Sequence, residues 1–564
     1  MIRPEHRLGE YNLDETFDLA SIGGGINGAG VAMDAASRGL KVILLEKNDF
    51  ASGCSAHSTR LIHGGLRYLE YLEFSLVYES LHEREILTQN YPHLVSPIDL
   101  MIPCYSFNKN PLWKLNLGMW LYDFLSPQKS FAKYKNLSVD EIQEMNLAIN
   151  EKALEGAVYY QDGQVPFAER LVLENIITAQ EHGAICINHA EVTDIQCTQL
   201  HGNYHAQSLR FKDLINGRKP YTIHANNIIN MAGPWVDKVN MLFKDNLDGS
   251  IQAAGKFNFK KRIGGTKGSH ILVKRFTGAP SDFGIYNEAR QDGRPFFITP
   301  FQIAGNEELF LIGTTDIFLD KNDDLDNLKV SDQEIDYLIN ETNDLFPMAN
   351  LSRQSVINTF IGVRPLPKAR EGKNAGKVTR KHFIVDHKKE KVENYYSVVG
   401  GKLTTFRSLA KDLVDLFSSS PCQTETLRSQ YAQFPINQSF YDYVAQKTKE
   451  YSSQYDTEPS TVIHLLMLYG TKTHEVLDLC KDNPLLKTKI DTRFPDIEAQ
   501  IVYAIRNEFA YSVEDILMRR LSIGLCTNKD LDEVVKTIQY HLSEEFGLQG
   551  RQRDKIIEDY IYTT

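Results

Sequence analysis

One stretch of thirty residues restricts the fold more than any other. Phe17 to Ile22 reads as a short buried strand and is followed by Gly23-Gly24-Gly25-Ile26-Asn27-Gly28. A run rich in small residues, Ala29 to Arg38, has helical character and stops at Gly39; Leu40 to Leu45 is a second buried strand ending at Glu46. Strand, glycine turn, helix and strand in this order make the first half of a dinucleotide-binding fold. Gly23 allows the tight turn. Gly25 lets a pyrophosphate approach the backbone at a helix N-terminus, where free N–H groups favour an anion. Gly28 lets helix and strand pack closely. The carboxylate of Glu46 can accept from both ribose hydroxyls and disfavours a 2′-phosphate. Gly23, Gly24, Gly25, Ile26, Asn27, Gly28, Glu46 and the adjoining Lys47 are therefore expected around a nucleotide.

A chain of 564 residues, 42% hydrophobic and 24% charged, is too long for one core, and two or three domains are expected. A net charge of -11 argues against nucleic acid as a partner but leaves room for a local basic pocket. The 7 cysteines form no C-x-x-C pair, so a reducing compartment is expected, without disulfides and without a zinc or iron–sulfur site. Met1 to Thr16 lacks the apolar core of a secretory signal, and no apolar run is long enough to span a bilayer. A chain like this meets a membrane only by lying on it.

Phe74 to Leu87 reads as an amphipathic helix. Short β-like runs at Tyr221 to Met231, His270 to Val273 and Leu309 to Ile312 suggest a mixed sheet forming a second layer. Beyond Ser420 the period becomes helical, as at Pro495 to Ala510 and Val513 to Leu521. Pro111 to Leu125 carries two tryptophans and is apolar with a sparse polar face; it reads either as a helix lying in a membrane interface or bordering a quinone channel, or as a core helix under a cap, the latter favoured because Lys114 is its only cation and interfacial helices usually have more. Two segments favour FAD over NAD. Asn227 to Pro234 is a strand ending in small residues, including Gly233, and resembles the second nucleotide-domain strand of two-domain flavoproteins. Tyr396 to Val399, then Gly400 to Phe406, is a strand, a glycine turn and a helix start, which can face a flavin and stabilise its reduced charge.

The run Asp49 to Leu69, with Ser58-Thr59-Arg60-Leu61-Ile62-His63-Gly64-Gly65-Leu66-Arg67-Tyr68 at its centre, resembles the signature of the FAD-dependent (aerobic, respiratory) glycerol-3-phosphate dehydrogenases. The resemblance continues through Gly233-Pro234-Trp235, Lys267-Gly268-Ser269-His270, Gly313-Thr314-Thr315-Asp316, Gly362-Val363-Arg364-Pro365-Leu366 and Gly400-Gly401-Lys402-Leu403-Thr404-Thr405. It reaches the tail at Tyr503-Ala504-Ile505-Arg506 and Glu514 to Arg520. It implies an α/β FAD-binding Rossmann-like fold, as in glycine-oxidase-like two-domain flavoproteins, with a β-rich substrate cap and a C-terminal all-α domain. The expected FAD-dependent oxidoreductase region spans 1–420. Its FAD domain takes about 15–100, 155–260 and 355–420, its cap about 100–155 and 260–355, and the helical domain takes 421–564.

The resemblance implies oxidation of glycerol 3-phosphate, with FAD held noncovalently and electrons passed to a membrane quinone. It adds Ser58, Thr59, Leu61, His63, Gly233, Gly401, Lys402, Leu403 and Thr404 to the cofactor site. It implies a phosphate pocket built from Arg67, Tyr68, Arg364, Arg380 and Lys402, for which the planar guanidinium fork is suited, with Arg380 the weakest member. The catalytic set is His63, His270, Lys402 and Arg364; His63 is favoured as the base, with His270 and Lys402 as alternatives. No metal is needed, and without an EF-hand pattern calcium control is not expected. The implied setting is the cytoplasm, on a phospholipid surface at the inner face of the membrane, and a homodimer is compatible with it. Cys54, Arg60 and Met231-Ala232 depart from the family pattern at cofactor-contact segments. An oxidase making hydrogen peroxide is the main rival, disfavoured by the short polar stretch from Pro365 to Arg380; an amino-acid-oxidising flavoprotein and a silent FAD-binding scaffold are the others.

Overall fold

A computed structural model describes residues 6–126, 130–245, 257, 259–301, 308–320, 323–368, 378–435 and 437–548. The strand Thr16–Ile22 lies at the centre of a parallel arrangement between Val42–Leu45 and Lys219–Asn230. Ile185–Ile187 adds beyond the former and Tyr395–Val399 beyond the latter, both parallel. Such strands are covered on both faces and therefore read as continuous apolar runs. Val42 and Leu44 pack towards the helix Ile26–Ser37, while Ile43 and Leu45 pack towards the hairpin of Ala190–Leu200 and Asn203–Asp213.

The expected helix starts earlier than its small residues suggest, at Ile26. Gly25 takes the N-cap position, and Ser55 Oγ accepts from the Ile26 N–H at 3.0 Å. The second strand begins at Val42, because the Leu40 N–H closes the helix end onto the Ala35 carbonyl at 3.1 Å. Helices Ala168–Glu181 and Phe406–Val414 pack on the first helix.

A second sheet has the strand Thr266–Lys274 between Leu309–Gly313 and Val356–Arg364. It extends through Pro295–Pro300, Phe283–Glu288, Ser96–Tyr105 and Leu154–Gln164 to the short strand Leu61–Ile62. The sheet thus draws on strands either side of the expected cap limits. Its edge strand, Leu61–Ile62, delivers the chain directly to His63 between the two layers.

Helix Leu112–Leu125 separates the two settings that its sequence allowed. It is not a core helix: Trp113 is 70% exposed, Leu117 59%, Trp120 58% and Phe124 72%, while Met119 and Tyr122 are buried. The four exposed residues recur at a helical spacing that puts them on one face. The segment is apolar almost all round, so its pattern alone did not say which side would be covered.

Beyond 420 the chain is helical, from Phe440–Tyr455 to Asp532–Phe546. Buried charges join it to the nucleotide layer. Asp49 accepts from Arg519 Nε at 2.7 Å and from both terminal nitrogens of Arg520 at 2.8 and 3.0 Å, and Arg170 pairs with Glu508 at 2.7 Å. Asp49, His189 and Asp515 cluster closely enough to resemble a cation site, but guanidinium groups already neutralise their carboxylates.

Candidate active site

The glycine turn lies where three strand ends meet. The Gly23 N–H donates to Leu45 O at 2.8 Å, and the Met231 N–H to Ile22 O at 2.8 Å. A Cβ on Gly28 would stand 1.9 Å from Gly23 O, and one on Gly23 would stand 2.7 Å from Met231 O, so both positions demand glycine. Glu46 accepts from Gly24 N at 2.6 Å and Asn48 N at 2.8 Å, which fixes its carboxylate at the end of the second strand. Burial raises the pKa of that carboxyl, partly offset by these two N–H groups. The Gly401 turn closes the opposite side, where a Cβ would stand 2.8 Å from Asn27 Nδ2. Asn27 Oδ1 is buried without a partner, and the first helix has no side-chain cap. A vacant acceptor, a glycine N-cap that leaves the N–H groups after Ile26 without a side-chain cap, and closely approached glycines fit an FAD held across the turn.

Gly233 opens the turn after Lys219–Asn230. Thr404 is buried, and its Oγ accepts from the His63 N–H at 3.2 Å, tying the Gly401 turn to the His63 loop. Ser58 accepts from the Arg60 N–H at 3.1 Å; Leu61 is buried and Leu403 half-buried. Lys47 stands apart, exposed and 3.9 Å from Asp326. Two departures from the family pattern have structural roles. Arg60 is buried in a bidentate pair with Glu169, both bonds 2.7 Å, and the Cys54 thiol donates to Val363 O at 2.7 Å.

The expected phosphate residues gather around Asp316, whose importance the sequence did not signal beyond its place in Gly313-Thr314-Thr315-Asp316. Arg364 donates to Asp316 at 3.1 Å, and Arg380 lies 3.6 Å from it. Thr314 Oγ and Thr315 O, at 3.1 and 3.2 Å, complete the support of the Arg364 fork. Burial pushes the Asp316 carboxyl up, but Arg364 and Arg380 outweigh it and hold it below the usual range. Arg67 and Tyr68 approach from the short helix Leu66–Tyr71. Lys402 Nζ lies 4.1 Å over the Tyr68 ring and donates to Ser80 Oγ at 2.8 Å. Arg364, Arg380 and Arg67 thus face the one carboxylate of Asp316, which leaves their side of the pocket net positive, while Lys402 stands closer to Glu73, Glu79 and Asp162. Tyr286 and Phe297, stacked at 4.7 Å, form an aromatic wall that the sequence did not signal; Phe297 meets the His63 ring edge-on.

Burial, aided by the Lys402 charge, pulls the His63 pKa down to about 4. Burial and Arg364 pull His270 down to about 3. Both rings are neutral near pH 7, so one nitrogen of each carries a lone pair. His270 is 2% exposed, with Nε2 3.0 Å from Thr59 Oγ and Nδ1 unpartnered. His63 is half-buried and more open. Lys402 is pulled down to about 7, mainly by burial.

The sequence pattern described as FAD dependent oxidoreductase matches residues 18–416, and that of the C-terminal domain of alpha-glycerophosphate oxidase matches 422–553. The chain is 42% identical over 554 residues to a glycerol-3-phosphate dehydrogenase of Synechocystis sp., covering 96% of this chain and 95% of the relative. It is 31% identical over 517 residues to the aerobic glycerol-3-phosphate dehydrogenase of Staphylococcus saprophyticus, covering 90% and 87%. The crystal structure of the glycerol-3-phosphate dehydrogenase from Bacillus halodurans, complexed with FAD, matches with a TM-score of 0.74 at 24% identity, over 99% of this chain and 97% of that one. That likeness establishes a shared fold.

Proposed function

The chain belongs to the FAD-dependent oxidoreductases, within the glycerol-3-phosphate dehydrogenases, and on that premise we propose that it oxidises sn-glycerol 3-phosphate to dihydroxyacetone phosphate and delivers the electrons to a membrane quinone. The observation that carries the substrate reading is the convergence of Arg67, Arg364, Arg380 and Lys402 beside neutral His63. Bound FAD supplies the hydride acceptor. Arg364, preoriented by Asp316 and Thr314, grips the phosphate with Arg67, Arg380 and Tyr68. This places carbon 2 beside His63, which receives the hydroxyl proton as hydride leaves. His270, wedged against Thr59, lines the pocket as a neutral hydrogen-bonding wall. Lys402 adds charge at the phosphate end.

The proposed partner surface is the outer face of helix Leu112–Leu125. Trp113, Leu117, Trp120 and Phe124 are exposed there, and Leu72, Phe74 and Tyr78 are exposed on the segments against which this helix packs. Lys109, Lys114, Lys133 and Lys135 are exposed on and near the same helix. Aromatic and apolar groups among lysines match an anionic phospholipid surface better than a second copy of an acidic chain. Among the described residues no helix is long and apolar enough to cross a membrane, so contact would be peripheral.

The oxidase reading is the alternative, and residues 369–377 of the stretch that argued against it lie outside the described residues. The test is turnover on glycerol 3-phosphate with a ubiquinone analogue or with air, on anionic vesicles. Fast quinone reduction with slow peroxide formation supports the proposal; fast peroxide formation replaces it with the oxidase. Trp120→Asp is expected to weaken vesicle flotation severalfold, and unchanged flotation removes this helix as the docking face.

A further inference from the structure

The turn after Leu61–Ile62 carries His63 and leads straight into the helix that bears Arg67 and Tyr68. Its path is fixed at Gly64 and Gly65. Gly65 has φ 79 and ψ 63, a left-handed conformation. Gly64 is so confined that a Cβ would stand 2.5 Å from both Leu81 and the Tyr122 hydroxyl. The Gly64 N–H donates to Tyr122 Oη at 2.9 Å and more weakly to Asp162 Oδ1 at 3.4 Å. Tyr122 in turn donates to Asp162 Oδ2 at 2.7 Å, and Arg84 donates to Asp162 Oδ1 at 2.8 Å. The Arg84 guanidinium is backed by the Phe131 ring at 3.8 Å.

Tyr122, Arg84 and Asp162 are no more than 2% exposed. Burial and the neighbouring carboxylate raise the Tyr122 phenol well above its usual pKa, so the hydroxyl stays protonated and serves as donor and acceptor at once. A buried carboxylate and guanidinium are costly to desolvate and tolerate little displacement once paired. Tyr122 comes from helix Leu112–Leu125, on the face opposite the exposed Trp113 and Trp120. One helix therefore joins the proposed docking face to the turn of the active site.

We propose that Tyr122 is a positioning residue for the oxidation: with Asp162 and Arg84 it holds the Gly64 N–H and thereby aims the His63 ring at the substrate. The inference rests on the reading of His63 as the base. Small misplacements of a reacting group cost up to about a hundredfold in rate. Tyr122→Phe keeps the ring and deletes the hydroxyl, and is expected to slow anaerobic flavin reduction by glycerol 3-phosphate about tenfold or more. In a His63→Asn background, the same change is expected to add less than about threefold, since the group it aims is gone. Asp162→Asn is expected to repeat the Tyr122→Phe pattern and carries the test if Tyr122→Phe loses its flavin. An unchanged reduction rate in both variants, or an effect that multiplies in full with His63→Asn, overturns the inference while the base reading stands. An unchanged rate in His63→Asn alone overturns the base reading first, and the inference with it.

Discussion

Replacing Arg364 by alanine tests the proposed phosphate pocket where its geometry is most explicit. The Arg364 fork is held by Asp316 at 3.1 Å, Thr314 Oγ at 3.1 Å and Thr315 O at 3.2 Å, so its direction is set before substrate arrives. A hydrogen bond to a charged group contributes about 1.5–3 kcal/mol, and a bidentate grip on phosphate makes two. Arg67 and Arg380 remain and recover part of the loss, so the expected net cost is about 3 kcal/mol. That corresponds to about a hundredfold in kcat/KM, carried mainly by KM. The residue stands away from the glycine turn, and the variant is expected to keep its flavin. The assay compares kcat/KM for glycerol 3-phosphate and for glycerol, which lacks the phosphate. The preference for the phosphorylated substrate is expected to collapse, while turnover of glycerol changes little. A KM within threefold of the parent protein, or a parallel loss on both substrates, refutes the reasoning.

Three further outcomes follow from the buried groups. His63 and His270 have folded-state pKa values of about 4 and 3, below the ordinary 6.5, so the unfolded chain binds more protons in that window. Stability is full above about pH 6.5 and falls as pH drops towards 4; Tm at pH 5 should lie below Tm at pH 7.5, more so than in His270→Asn, and equal slopes would contradict the assignment. Arg520→Met leaves Asp49 with only Arg519 and Asn188 and is expected to cost about 3 kcal/mol in denaturant unfolding, with weaker FAD retention; an unchanged midpoint would show that the pair carries no stability. Gly28→Ala puts a methyl 1.9 Å from Gly23 O and should yield protein without flavin absorbance, so a normally yellow product would show that the turn has room.

The nucleotide turn was legible because its constraints are local: glycine where a Cβ would collide, and an acid at the end of the next strand. The arginines proposed for the phosphate were named as motif members, but the carboxylate that aims Arg364 was not legible, since Asp316 lies 48 residues from it in sequence. The Asp49 to Arg520 pair spans 471 residues and had no local signature at all. Helix Leu112–Leu125 was legible as a helix, but the choice between an interfacial and a core setting was not, because a mostly apolar stretch with a sparse polar face does not declare which face is covered. Tyr122 was hidden for the same reason, as one aromatic among many in that segment.

The most direct test of the account is the flavin absorbance of the purified protein under argon on adding glycerol 3-phosphate. The account predicts bleaching at stoichiometric substrate, with no bleaching by glycerol or glycine at the same concentration. Flavin that stays oxidised with glycerol 3-phosphate, or that bleaches equally with the unphosphorylated alcohol, would contradict it.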